Sequence, residues 1–456
     1  MVFTISSKNL EITQDVPKGC VWKQYFLSFM LSFPFFTQGV QTTSLSASAH
    51  SGHFSIPDDV PWSTTALIVG TICSAPVHCY IIDKWGRKFG FYVVIMLQGI
   101  SCIPLLLSPN EITVIMLHIL AGITSGGLFT VLPIYIREIC ADEIRASMVA
   151  LMALMTSAGY LVELVMTDET LLYVMAGLVL FQFLAVFLTI ETPSYLVIKN
   201  KLEVATENLA KLKCVDGDNQ LVIEQVSKLK DESERAKMNG TNVLKIYRNK
   251  IWLDATKIGL VLYTVMVFSG SIVFLDQEKT LQQLETTADP DRILVPVCLS
   301  AGGITTVIFM RFLERKYYLT FAYSTMVLSM GTLAVYTQAD LTVTEFRWVP
   351  IVCLAILVFS YGMAWSIPAV IMVEILNIEI RSKTLGIIYT YSQILKLIHV
   401  HTFQYLKESI GVYTLLYIFS CVNLFGAVYT ISKVPDIKLK TVRQVERQLK
   451  RIPILK

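Results

Sequence analysis

Glu138-Ile-Cys-Ala-Asp-Glu-Ile-Arg145 and Glu374-Ile-Leu-Asn-Ile-Glu-Ile-Arg381 share five of eight residues, and 236 positions separate the two copies. Each follows a long apolar run, Ile112–Ile136 in the first case and Trp348–Met372 in the second. Each run is the fourth of six such runs in its half of the chain. Duplication of a six-span unit is the simplest origin, with the halves related by an axis along the membrane normal.

The composition agrees with that reading. The 456 residues are 54% hydrophobic and only 16% charged, with a mean hydropathy of +0.58. Soluble proteins carry roughly 25% charged residues, so several water-facing domains could not be covered by so few charges. Lipid must be the solvent for much of the chain. A spanning helix needs ~20 apolar residues, and twelve segments qualify. Six lie in the first half: Trp22–Val40, Pro61–Ile82, Phe89–Leu107, Ile112–Ile136, Ala146–Met166 and Leu171–Ile190. The second half holds Ile251–Leu275, Ile293–Phe312, Tyr317–Tyr336, Trp348–Met372, Thr384–Phe403 and Val412–Ser432. The predicted organisation is a leader (1–21), a six-helix bundle (22–192), a helical linker (193–250), a second bundle (251–432) and a tail (433–456). In the linker, Leu202, Ala205, Leu209 and Leu212 recur at helical spacing, and Val222, Val226 and Leu229 form a second stripe.

Charge placement orients this arrangement. Alternate loops on the side of the two termini hold 32 of the 38 Lys and Arg residues; the opposite loops hold only Lys279, Arg292, Arg347 and Lys407. By the positive-inside rule both termini are expected in the cytoplasm. The net charge of +3 is too small to argue for nucleic acid. The nine cysteines show neither a disulfide framework nor zinc spacing. No phosphate loop and no nucleophile–base pair is visible, so neither an enzyme nor a cofactor or metal is expected.

Four further motifs carry a resemblance. Asp83-Lys-Trp-Gly-Arg87-Lys88 follows the second span and Pro133-Ile-Tyr135-Ile-Arg-Glu138 closes the fourth. Glu191-Thr-Pro193-Ser-Tyr-Leu follows the sixth, and Pro435-Asp436-Ile-Lys-Leu-Lys-Thr441 the twelfth. Their order and spacing resemble the sugar porter branch of the major facilitator superfamily, and the length and loops resemble insect trehalose and glucose transporters. The resemblance implies an all-α, twelve-helix fold that moves a sugar or related small polar solute by alternating access, as facilitated diffusion across the plasma membrane. It also implies that Asp83, Arg87, Glu138, Arg145, Glu374 and Arg381 form gating ion pairs at the cytoplasmic span ends. The second-half turn, Arg311-Phe-Leu-Glu-Arg315-Lys316, lacks the glycine, which implies a weaker latch there.

The substrate residues of that family are largely replaced. Ala153 stands for a span-five Gln, Met266, Val267 and Ile272 replace polar residues of span seven, and only Ser269 and Gly270 survive there. Ala369 replaces a span-ten Trp, and Ser392-Gln393 an Asn-Trp pair. A glucose-type site is not expected. Other polar span residues are candidates for a cavity: Gln38, His118, Ser269, Tyr389, Gln393 and Lys396 above all, with Gln41, His78, Glu163, Gln182 and Gln404 beside them. Ionisable groups inside a bilayer are costly and usually functional. His118 occupies the position of an Arg that partners a span-one acid in proton symporters; span one has no acid here. Two alternatives remain open at this stage: transport of a non-sugar organic solute, and a non-transporting membrane sensor.

Overall fold

The computed structural model describes residues 20–50, 62–103, 111–163, 166, 168–238, 250–271, 293–339, 348–378, 380–438, 440 and 442–451. Among them all regular structure is helical. The first half contains α1 (Trp22–His50), α2 (Trp62–Trp85), α3 (Arg87–Ser101), α4 (Glu111–Ile139), α5 (Arg145–Glu163) and α6 (Asp168–Leu188). The linker holds α7 (Pro193–Ile198), α8 (Leu202–Lys213) and α9 (Gln220–Met238). The second half contains α10 (Lys250–Val267), α11 (Leu294–Phe309), α12 (Arg315–Gln338), α13 (Val349–Ala364), α14 (Ile367–Ile375), α15 (Arg381–Ile410) and α16 (Val412–Lys433). A last helix, α17 (Val442–Arg451), follows the tail turn. α13 and α14 are two pieces of one span, broken at Trp365–Ser366, so the halves carry six spans each.

Six described spans are each long and apolar enough to cross a bilayer unaided, Val349–Ile375 among them. The outer face of the shorter apolar helix α6 is bare hydrocarbon as well. On α6, Leu180, Leu184 and Phe187 recur at helical spacing with 62%, 59% and 82% exposure, while Met175, Gln182 and Ala185 behind them are buried. A water-facing surface would not be built that way; a lipid-facing one is. Two spans run past the expected apolar limits. α1 continues from Val40 to His50 through a Ser/Thr-rich stretch, and α15 continues to Ile410. Hydropathy marks where lipid ends, whereas backbone hydrogen bonding carries the helix further.

Close helix crossings are set by small residues, as lipid offers no hydrophobic drive to push helices together. A Cβ on Gly122 of α4 would sit 2.0 Å from the Leu67 carbonyl oxygen of α2. In the second half a Cβ on Gly362 of α13 would sit 2.5 Å from the Leu299 carbonyl oxygen of α11. The second and fourth spans of each half thus cross backbone to backbone, a packing trace of the duplication.

The linker helices pack as expected. Ala205 and Leu209 of α8 meet Val222 and Val226 of α9 in a small apolar cluster that also covers Leu196 and Val197. Glu207 and Lys211 form an i,i+4 ion pair on the surface of α8. Thr192 caps α7, accepting from the Tyr195 N–H at 3.3 Å, with Pro193 in the first helical position. Glu232 of α9 accepts from the Ile378 backbone N–H of the second half at 3.3 Å.

Substituting Gly122→Ala should lower the unfolding temperature of the detergent-purified protein, since a methyl against backbone costs about 1–3 kcal/mol or more. Gly177→Ala is the control: nothing lies within 4 Å of its would-be Cβ, and helix propensity favours the change by up to ~1 kcal/mol. Equal melting temperatures for the two variants would contradict the crossing geometry.

Candidate functional site

The end of the bundle that carries the linker is closed by a buried carboxylate. Glu138 ends α4, and its side chain is fully excluded from solvent. Arg87 at the start of α3 donates from Nε to Oε2 at 3.0 Å and from Nη2 to Oε1 at 3.2 Å. Thr192 Oγ1 donates to Oε2 at 2.7 Å, and Arg381 Nη1 of α15 donates to Oε1 at 3.2 Å. Four donors fill the carboxylate's acceptor sites. Three come from the first half and its linker; the fourth comes from the second half. Beside it, Ser382 Oγ donates to Asp83 Oδ1 at 2.5 Å, again from half to half.

The repeated phrase explains the rest of the cluster. Arg145 donates from Nε to the Arg137 carbonyl and from Nη2 to the Cys140 carbonyl, eight and five residues back. Arg381 does the same to Val373 and Leu376, also eight and five back. The two guanidinium groups differ in their remaining contact. Arg145 pairs with Asp142 at 2.5 Å and stays within its own half; its charge holds the Asp142 carboxyl below the usual range. The residue equivalent to Asp142 in the second copy is Ile378, which cannot pair with a guanidinium, and Arg381 reaches across to Glu138. Arg145 and Arg381 are therefore brought to equivalent places with different partners.

The missing glycine does not weaken the second-half pair. Arg315 holds Glu374 through two bonds, 3.1 and 3.0 Å, with both side chains buried. Glu314 sits there with an ordinary φ of −70°, whereas Gly86 adopts +106°. The difference lies in what presses on the turn. Glu191 accepts from the Arg87 and Lys88 backbone N–H groups at 2.9 and 3.2 Å, and a Cβ on Gly86 would fall 2.2 Å from its Oε2. Burial raises the Glu191 carboxyl above its ordinary pKa, and the N–H donors counter that. In the second half Asp436 plays the corresponding part more loosely by pairing with Lys316, whose ammonium holds the Asp436 carboxyl low.

Between the halves, further along the same helices, lies an aromatic layer. Phe129 of α4 stacks on Tyr389 of α15 at 5.7 Å and lies 6.3 Å from Trp365 at the break before α14. Trp365 in turn stacks on Tyr361. Beyond the layer, Gln393 and Lys396 of α15 remain partly exposed. Thr65 of α2 meets His401 of α15 at 3.2 Å near the far end.

Several polar span residues turn out to join helices. Gln38 donates to the Ala121 carbonyl at 3.3 Å, Gln41 to Ser101 at 2.8 Å, and Gln182 to Thr37. His78 contacts the Ser74 carbonyl, and His118 is buried in α4. Ser269 bonds back to the Met266 carbonyl, and its own carbonyl accepts from Asn423 at 2.9 Å, so it secures the end of α10 against α16. Ala153, Met266 and Ala369 are buried, the last two within the main apolar core. The side chains of Glu163, Gln404 and Ile272 lie outside the described residues. A cavity of about 690 Å³ opens well away from this interior, between Lys23 and the acidic face of α8. Sequence reasoning missed Thr192, Ser382 and the Phe129 stack. The Asp142-to-Ile378 difference was visible in the aligned copies and marks which arginine crosses.

Gly86→Ala should lower the melting temperature by dislodging Glu191 from the α3 N-terminus. In a Glu191→Ala background the same change should cost only the backbone strain, roughly 1–2 kcal/mol. Additive losses in the double variant would show that the glycine and the carboxylate do not interact.

Comparison with known proteins places this geometry. Residues 21–449 match the family model described as "Sugar (and other) transporter". The facilitated trehalose transporter Tret1 of Bombyx mori is 23% identical over 94% of this chain and 87% of its own length. Tret1 of Apis mellifera ligustica is 22% identical over 75% and 70% respectively. The proton:xylose symporter XylE bound to 6-bromo-6-deoxy-D-glucose superposes with a TM-score of 0.78 at 18% identity, covering 94% of this chain and 99% of that one. The inward-open XylE of E. coli gives 0.65, also at 18% identity, over 93% and 99%. The fold is that of the major facilitators, and the chain belongs to the sugar (and other) transporter family.

Proposed function

We propose that the protein carries a sugar or related small polar solute across the plasma membrane by alternating access, as a facilitator, with both termini in the cytoplasm. One observation carries the reading: a fully buried carboxylate, Glu138, accepts from both halves at the linker end. Ion pairs in a dry seam bias a two-state equilibrium; opening the seam breaks them and returns water to the charges. Glu138, Arg87, Arg381 and Asp83 are then the cytoplasmic latch, and Arg145, Glu374 and Arg315 hold each half rigid beside it. The aromatic layer of Phe129, Tyr389 and Trp365 closes the path beneath the substrate space. The named trehalose and xylose transporters among the relatives support a sugar-like cargo.

Ordinary glucose transport is not expected. A hexose hydroxyl left unmatched in a dry site costs roughly 1–3 kcal/mol. Three such losses, at Ala153, Met266 and Ala369, would outweigh most of a millimolar affinity worth about −4.1 kcal/mol. Labelled uptake across sugars, polyols and organic ions in transporter-deficient cells should show saturable entry of some solute with little glucose. Robust glucose uptake would overturn the specificity argument. No uptake of any solute, with the protein confirmed at the surface, would favour a sensor.

Arg381→Ala should shift the population toward the inward-open state, raising thiol labelling of cysteines placed on the cytoplasmic cavity wall; each ~1.4 kcal/mol changes the ratio tenfold. Arg145→Ala, which removes no contact between the halves, should have the smaller effect. Unchanged labelling in Arg381→Ala would refute the latch. For orientation, a tag after Lys456 should be reached by antibody only in permeabilised cells, and one at His50 without permeabilisation. Both tags on one side would sink the topology.

A further inference from the structure

We infer that the interior site receives a solute bearing an anionic group, a carboxylate or a phosphate, which pairs with the ammonium of Lys396. The inference rests on the transport reading for how the solute arrives, and deepens it by naming the cargo's charge.

Lys396 lies at the middle of α15, fifteen residues from Arg381 and fourteen from Ile410. At 1.5 Å per residue each end is about 22 Å away, so its four-carbon stem cannot snorkel to either surface. The helix face decides where it points. Ile387, Ile394, Ile398 and Tyr405 are exposed and form the lipid side. Leu385, Tyr389, Ser392 and Phe403 are buried on the opposite stripe, and Lys396 falls among them at helical spacing. Unlike them it stays partly exposed. Gln393, also partly exposed, lies one turn before it, and the Tyr389–Phe129 stack two turns before it.

Among the described residues, no carboxylate comes within ion-pairing distance of Lys396. Of the described acids at the halves' seam, Asp83 bonds Ser382, Glu138 pairs with Arg87 and Arg381, and Glu374 with Arg315, while Asp254 pairs with Lys257. A titratable neighbour whose field Lys396 shares is His399, a potential second cation, and its ring is packed against Phe268 and Phe419. The duplication sharpens the point. Counting back 236 residues, the first-half equivalent of Lys396 is Tyr160, a neutral group, so the charge belongs to one wall of the site only. A fixed cation in a low-dielectric space without a fixed partner selects an anion. The Tyr389, Phe129 and Trp365 rings give an apolar face for the carbon skeleton, and Gln393 an amide for its hydroxyls. A sugar acid or a sugar phosphate has that chemistry.

The test uses the full-length purified protein, equilibrium binding, and uptake into proteoliposomes, with glucose, glucuronate and glucose 6-phosphate as probes. At least one anion should bind about tenfold or more tighter than glucose, and comparison of the two tells carboxylate from phosphate. Lys396→Gln should erase the anion's advantage, while Lys396→Arg should keep most of it. Anions binding no tighter than glucose in the unaltered protein would overturn the inference whatever the variants do. So would an anion preference that survives Lys396→Gln. Anion binding without uptake would leave the inference standing and remove the transport reading. Glucose uptake with no anion binding would do the reverse.

Discussion

Everything at the closed end is arranged around one unfavourable fact: the Glu138 carboxylate has no water. A buried charge deprived of one partner costs about 3–5 kcal/mol, so its four donors are a requirement of the closed state. Meeting that requirement fixes the α2–α3 turn, the α6–α7 turn and the start of α15 against a single side chain. The same fact makes the closed state reversible. In the proposed cycle, water replaces the Arg381 bond when the halves part, and the loss on one side is offset by solvation on the other. A hydrophobic plug of equal area would hold more firmly and release less readily.

Duplication gave the molecule two copies of this apparatus, and small substitutions divided the labour between them. Asp142 keeps Arg145 at home; Ile378 in the same place leaves Arg381 free to cross. Glu191 presses against a glycine turn, while Asp436 pairs with Lys316 and lets an ordinary residue, Glu314, stand where the glycine was. The ion pair between the halves is therefore asymmetric, made by Arg381 and not by Arg145, though the pairs within the halves, Arg87–Glu138 and Arg315–Glu374, are symmetric.

Much of the fold was legible in the sequence because its signals are local or repeated. Apolar runs of fixed length, the 236-residue echo and the bias of Lys and Arg each need no tertiary information. The linker stripes were legible for the same reason. The break at Trp365–Ser366 was not, as hydropathy runs straight through it. The candidate site was read less well. Gln38, Gln182 and Ser269 are polar residues in spans, but polarity alone does not separate a group that binds cargo from one that ties two helices together; only the carbonyl or hydroxyl opposite it does. The Phe129–Tyr389 stack joins residues from different halves, and an aromatic residue in a span gives no hint of its partner. Lys396 stood out because an ionisable group near mid-membrane is costly and usually functional.

That ammonium also sits within the membrane's electric field. Moving one charge across the full field is worth about 2.3 kcal/mol per 100 mV. When the two halves rock, the position of Lys396 within the voltage drop changes even if the helix hardly moves, because the water-filled side changes. With an anion bound, the pair is neutral and its passage is indifferent to potential. The empty carrier returns with a net positive site, and an inside-negative cell favours the conformation in which that site faces the cytoplasm. Cargo release inward would then be followed by a voltage-opposed reset, making membrane potential a brake on turnover.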